Sequence, residues 1–292
     1  MACAANRAVP GKCPTCGHGG PMNVQGDSLL HLVEGNHWCL LGRTGRGKSY
    51  LLKDLMRQWL ELGHPVVAWD PEDELSQHGD RTITTELGPL RDRCTVSELL
   101  ADPDRYLLRP DVSVAIVPDN PDEEDAEVLA RQFIAITKWV RLRSQRGKAA
   151  GQKPLVLVLE EVGAWANPDK PPATVAKAIK RLTTIATRWR KRGMVMMLCA
   201  QIMPLVPRAA RSQVSKWVVF QLPQSIDRNL LGRETSDDFA ALTEKLDKGE
   251  FMVADVDGPR RMNMGGKRTV GDAPRETSTG RTSAAGKRKA AR

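Results

Sequence analysis

Short apolar or β-branched runs recur along the chain at His37 to Leu41, Val66 to Trp69, Val112 to Val117, Leu155 to Leu159, Met194 to Ala200, Lys216 to Gln221 and Glu250 to Asp255. Each is strand-sized, and Leu155 to Leu159 is apolar at every position, the pattern of a strand covered on both faces. Between several of these runs the period changes. Leu51, Leu52, Leu55, Met56 and Trp59 repeat at three and four, as do Val175, Ile179, Leu182, Ala186 and Trp189, so each set lines one side of a helix. A third helix is expected from Asn120-Pro121-Asp122-Glu123 to about Arg146, with Asn as cap, Pro in the first turn and Glu returning to the cap. Strands alternating with helices join by right-handed crossovers. The expected product is an α/β fold with a mostly parallel sheet and helices on both faces.

Charge divides the chain unevenly. The net charge of the 292 residues is +9, and +8 of it lies in Pro259–Arg292, where ten Lys/Arg face only Asp272 and Glu276. Residues 1–258 are therefore nearly neutral and hold nearly all the large apolar side chains, enough for one sizeable core. This predicts a Cys/Gly-rich appendage over 1–30, one domain over 31–258 and a basic disordered tail over 259–292. No apolar run approaches the roughly 18 residues of a membrane span, and Met1 to Pro10 lacks the apolar stretch of a signal peptide. Cys39 and Cys199 sit in apolar runs and Cys94 stands alone, as core thiols of a reducing compartment do. The expectation is a protein without membrane insertion.

The chemistry is concentrated after the first run. Gly42-Arg43-Thr44-Gly45-Arg46-Gly47-Lys48-Ser49 fits G-x-x-x-x-G-K-[ST] between a strand and an amphipathic helix that continues from Tyr50. Glycines there let backbone N–H groups turn inward around phosphate oxygens, and the helix adds the positive end of its dipole. Lys48 would reach the β and γ phosphates of ATP, and Ser49 would ligate Mg²⁺. Such a loop needs acids at the tip of a neighbouring strand, and Leu155 to Leu159 ends in Glu160 and Glu161. Glu160 would hold the magnesium shell while Glu161 orients the attacking water. Glutamate at the first position departs from the usual aspartate.

Met194 to Ala200 ends in Gln201, placed to contact the γ phosphate or the lytic water. Arginines flank this strand: Arg188, Arg190 and Arg192 before it, Arg208 and Arg211 after it. In a ring of identical subunits one of them would stabilise a neighbour's transition state. At the amino end, Cys13-Pro14-Thr15-Cys16-Gly17 has the turn of a zinc knuckle. Tetrahedral Zn²⁺ needs four ligands, so Cys3, His18, His31 or His37 would have to complete the set, and otherwise the turn is unliganded. The basic tail suits phosphate backbones, and it has no aromatic residue for stacking on bases. Arg141, Arg143, Arg146 and Lys148 are either further DNA contacts or a solvated helix face.

Taken in order, GRTGRGKSYLLKDLM, VVAWDPEDE, LVLVLEEVGAW, RKRGMVMMLCAQ, VPRAARSQVSKWVVFQL and LDKGEFMVADVDGPRR resemble the FtsK and HerA superfamily of DNA-pumping ATPases over about Val33 to Arg261. The compact form is similar to the genome-packaging ATPases of tailless viruses with an internal membrane. The resemblance implies a P-loop NTPase fold of the ASCE (RecA-like) type, with an extra strand between the P-loop strand and the acidic one and with C-terminal hairpin strands. It further implies a hexameric or similar ring, ATP with Mg²⁺, a double-stranded DNA partner, a capsid vertex protein as docking partner, and a place in the host cytoplasm or on the virion. Arg190, before Gly193, holds the superfamily's trans-finger position, with Arg208 and Arg211 as further candidates; Asp70 matches an acidic position. The chain lacks room for the amino-terminal barrel of HerA helicases and for the DNA-reading carboxyl-terminal domain of septal FtsK. Two other readings remain: a filamentous-phage assembly ATPase related to the zonula occludens toxin group, which would call for a membrane helix, and a non-hydrolysing nucleotide switch or DNA-binding scaffold.

Overall fold

The computed structural model of the chain describes residues 37–78, 88–109, 112–120, 122–255 and 258–263. The knuckle cysteines Cys13 and Cys16, and the tail beyond 263, lie outside the described residues. Nine strands join in one sheet: β1 (His37–Leu41), β2 (Val66–Trp69), β3 (Asp92–Thr95), β4 (Val114–Val117), β5 (Leu155–Leu159), β6 (Met194–Ala200), β7 (Val214–Val219), β8 (Glu250–Asp255) and β9 (Gly258–Asn263). Their order is β3-β4-β2-β5-β6-β1-β7-β8-β9. Pairing is parallel from β3 through β7 and antiparallel at β7–β8 and β8–β9. The strand implied between the P-loop strand and the acidic strand is β6.

The helices are α1 (Lys48–Glu61), α2 (Val96–Ala101), α3 (Ala126–Ala149), α4 (Val162–Trp165), α5 (Ala173–Arg188), α6 (Arg208–Arg211), α7 (Ser225–Glu234) and α8 (Asp237–Leu242). Side chains alternate across the strands, so the sheet divides the core in two. On one face Trp38, Leu40, Val156, Val158, Met197 and Cys199 pack against Leu51, Leu52, Leu55 and Trp59 of α1. On the other, Leu155, Leu157, Leu159, Met196 and Leu198 meet Phe133 and Ile136 of α3 and Leu182 and Ile185 of α5. Each such side chain taken fully from water contributes about 1.5–3 kcal/mol.

Several boundaries differ from the sequence reading: β4 begins at Val114 rather than Val112, and β7 runs Val214–Val219 rather than Lys216 to Gln221. β3 was missed because Asp-Arg-Cys-Thr has one buried position, Cys94, at a sheet edge, and an edge strand carries no apolar run. The cap of α3 is Asp125, whose carboxylate accepts from the N–H groups of Glu127 and Val128. Asn120 instead accepts from Asp122 N at 3.3 Å and closes a turn upstream. The hairpin also carries ordered strand to Asn263, past the expected limit at 258.

Candidate nucleotide site

A parallel sheet delivers the carboxyl ends of its strands to one edge, and the chemistry follows from which strands are neighbours. β1 ends in the glycine loop, β6 beside it ends in Gln201, and β5 beyond that ends in Glu160 and Glu161. The loop turns sharply into α1: Gly45 has φ 77° and Gly47 φ 107°, left-handed values that glycine adopts without a Cβ clash. Gly42 is fixed for a different reason, since a Cβ there would lie 2.8 Å from Phe220 Cβ. No side chain caps α1, so its first N–H groups are left for an anionic ligand. The turn before β8 closes against the loop, with Gly249 N donating to Arg46 O at 3.3 Å.

Lys48, the first residue of α1, is buried and hydrogen-bonded to Glu161 Oε1, with Glu160 Oε1 at 3.6 Å. Burial alone would lower its pKa, but the two carboxylates outweigh that and hold it above the ordinary lysine range. Gln201 Nε2 donates to the same Glu161 oxygen at 3.2 Å. Four residues from three elements thus converge: Lys48, Glu160, Glu161 and Gln201. Glu161 reaches this position through a left-handed backbone, φ 37° and ψ 58°, at the start of α4. A non-glycine residue adopts that conformation at a cost of about 1–2 kcal/mol.

Glu160 is buried, and its Oε2 has no hydrogen-bond partner. Burial pushes its carboxyl up, Lys48 opposes that and Glu161 adds to it. Beside it at the end of β2, Asp70 is fully buried and accepts from Leu75 N at 2.8 Å and Glu74 N at 3.2 Å. Burial pushes Asp70 up to about 8, with the Glu160 charge adding to the shift. The half-buried hydroxyl-bearing Ser49 follows Lys48. A hydroxyl, an orphaned buried carboxylate oxygen and an ammonium are the donor set that a magnesium triphosphate requires, so the residues fit that group.

The arginines differ in their surroundings. Arg190, in the turn Arg190–Arg192 between α5 and β6, is exposed at the amino edge of the sheet, opposite the glycine loop. Arg211 is largely buried, donates to Met203 O at 3.4 Å and lies 3.9 Å from Glu234, so its guanidinium is held within its own subunit. Arg208, on the same short helix, is exposed. His37 is removed from the zinc candidates: its ring bonds Ala186 O at 2.9 Å and Met196 N at 3.1 Å. Arg143 is buried with Nη1 on Gln152 Oε1 at 3.0 Å, so it is not part of the solvated face of its helix.

One buried carboxylate near the site escaped the sequence reading. Asp227 of α7 is fully buried, its Oδ1 accepts from Met203 N at 2.8 Å just after Gln201, and its Oδ2 has no partner. Burial pushes its carboxyl up, while the Met203 N–H and the Arg43 guanidinium oppose that. An Asp in the first turn of a helix is commonplace, so nothing local marked it.

No family model and no curated protein matches the chain. Solved structures do. The genome-packaging NTPase B204 of Sulfolobus turreted icosahedral virus 2, in complex with ATP-gammaS, superposes with a TM-score of 0.55 at 14% identity, over 80% of this chain and 98% of that one. The DNA-packaging ATPase B204 of Sulfolobus turreted icosahedral virus gives 0.53 at 15%, over 78% and 97%. VirB4 of Thermoanaerobacter pseudethanolicus gives 0.50 at 15%, over 82% and 90%. At these identities what is shared is the fold, a RecA-like α/β P-loop fold with a mostly parallel sheet.

Proposed function

We propose that this chain is an ATPase that couples ATP hydrolysis to the movement of double-stranded DNA, in viral genome packaging. The observation that carries the reading is the convergence of Lys48, Glu160, Glu161 and Gln201 at the mouth of the glycine loop. The likeness to B204, a packaging ATPase that binds an ATP analogue, supports it.

In this reading Gly42 to Tyr50 wrap the phosphates, and Lys48 leaves the carboxylates to meet the β and γ oxygens. Ser49 and Glu160 would hold Mg²⁺, which when bound neutralises charge on the phosphates. Lys48 no longer occupies Glu161 once the phosphates claim it. Glu161 is then free to orient a water and draw off its proton, with Gln201 fixing the carboxylate from the other side. Arg190 cannot serve its own loop from the opposite edge. Its exposure supports a role on the nucleotide of an adjoining copy, in a ring around the duplex, with Arg208 as second candidate. A capsid vertex protein, the host cytoplasm and the virion follow from the packaging role.

Phosphate release measured with and without duplex DNA tests the reading. The expected result is turnover that duplex stimulates and that Glu161→Gln abolishes. Turnover indifferent to duplex and to that substitution would refute it. Tight ATP binding with no phosphate release would favour the nucleotide switch instead.

A further inference from the structure

The two longest helices on the sheet face opposite α1 carry charge almost all of one sign. α3 has six Lys/Arg and one acid, Glu127, and α5 has four and none. That is +9 on two adjacent helices in a stretch, residues 1–258, whose net charge is +1. A face built for solubility mixes signs. Here Arg131, Lys138 and Arg141 of α3 and Lys177, Arg181 and Arg188 of α5 are all exposed. Among the described residues no ion pair engages Arg131, Arg141, Lys177, Arg181 or Arg188; Arg146, at the rim, lies 3.9 Å from Asp104.

Helix energetics do not account for the placement. Cations favour the last turn of a helix and acids the first, yet the first turn of α5 has no acid and Lys177 follows immediately. At 1.5 Å per residue, Arg131 to Arg141 and Lys177 to Arg188 each span about 15 Å, on axes about 8–10 Å apart. Over that length a duplex presents about nine phosphates. A single-sign field of this extent attracts a polyanion of regular charge and reads no sequence.

We infer that the outer face of α3 and α5 is the surface that grips the phosphate backbone of double-stranded DNA. The inference rests on the translocase reading and adds where the duplex lies: on the sheet face away from α1, independent of the basic tail.

The test uses the full chain and a labelled duplex of random sequence. The triple variant Arg141→Gln/Lys177→Gln/Arg181→Gln changes exposed helix positions only, none of them in the nucleotide site. A control variant, Arg91→Gln/Arg233→Gln/Lys245→Gln, removes the same charge from other exposed positions. Each phosphate contact contributes about 0.9 to the slope of log K against log salt, or about 8-fold at 0.1 M salt. The triple variant should therefore bind duplex roughly 60- to 500-fold more weakly, with a slope shallower by about 2–3, at unchanged duplex-free ATPase. The control should bind like the wild type. Wild-type binding in the triple variant would overturn the inference, and so would an equal loss in the control, which would mean net charge alone. Anionic phospholipid vesicles bound in preference to duplex would also overturn it. A wild-type chain that hydrolyses ATP and binds no duplex would instead refute the translocase reading itself, and the surface with it.

Discussion

Removing Lys48 and removing the charge of Glu161 should have opposite signatures in stability, although both should lower turnover. Lys48 is buried between two carboxylates, one in hydrogen-bond contact and one at 3.6 Å. At an effective dielectric near 20, charges 3.6 Å apart attract by about 4–5 kcal/mol before desolvation. Lys48→Ala leaves Glu160 and Glu161 facing each other with no counter-charge, and taking one partner from a buried pair costs about 3–5 kcal/mol. Lys48 is the group that holds the Glu160 carboxyl down against burial, so without it Glu160 takes up a proton in the folded state. Its folded pKa then lies further above the unfolded value. The contribution from Glu160 is present at low pH and is lost as pH rises through that folded pKa. Lys48→Ala should thus unfold more easily at pH 8 than at pH 6, relative to wild type.

Glu161→Gln does the reverse. It leaves Lys48 paired with Glu160, and the new amide oxygen still accepts from Gln201, so stability should stay within about 1 kcal/mol of wild type. Nucleotide affinity should be kept while kcat falls about 10²- to 10⁴-fold, as for loss of a general base. Thermal unfolding at pH 6, 7 and 8, fluorescent-ATP titration and phosphate release read all three quantities. A Lys48→Ala variant as stable as wild type at pH 8, or a Glu161→Gln variant less stable than it, would refute the charge arrangement.

Four further outcomes are expected. Burial lowers the pKa of His37 and His64, so their contribution is whole above the unfolded value near 6.5 and is lost as pH falls below it, by up to about 1.4 kcal/mol per unit for each histidine; His37→Gln should flatten the acid limb of a Tm–pH profile. Asp70, pushed up to about 8, contributes fully below about pH 4 and progressively less as pH rises to 8, so Asp70→Asn should gain on wild type across that window by about 1.4 kcal/mol per unit, visible in urea melts at pH 5 and pH 8. Gly42→Ala places a Cβ 2.8 Å from Phe220 Cβ, deep in the core, and should cost about 1–3 kcal/mol in urea unfolding and weaken ATP binding. Asp227→Ala orphans Met203 N at a cost of about 1–3 kcal/mol, whereas Asp227→Asn keeps the acceptor and should be milder in the same melts.

The parts of this fold legible in the sequence were those whose signal is local. Buried central strands announce themselves as apolar runs, and β1, β5 and β6 have the bounds that the runs predicted. The glycine loop is legible because its backbone demands particular residues at fixed spacing. What stayed hidden depends on partners distant in the chain. β3 is a strand because β4 pairs with it, and its own four residues carry one buried side chain. Arg143 and Arg141 look alike in the sequence, two residues apart on one helix, yet one is buried on Gln152 and the other faces solvent. Arg208 and Arg211 differ in the same way, because Glu234 and Met203 lie beside one of them. Asp227 had no motif at all, since its significance is the orphaned backbone N–H of Met203 that α7 brings to it.

The left-handed backbone at Glu161 lies between the glycine-loop side of the sheet and the cationic helices. Its dihedrals turn the chain directly from β5 into α4, so the Glu161 carboxylate sits at the start of that helix. Within α4, Trp165 donates from Nε1 to Glu160 O at 3.1 Å, and its ring packs on Phe133 of α3 with centroids 4.1 Å apart. Phe133 lies between the exposed Arg131 and Lys138 of the cationic face. A single buried indole therefore touches both the backbone of the acidic pair and the helix that presents the cations. Buried aromatic contacts are close-packed and transmit displacement rather than absorb it. A displacement of the Glu160 backbone would therefore be passed to Trp165, and through Phe133 to α3.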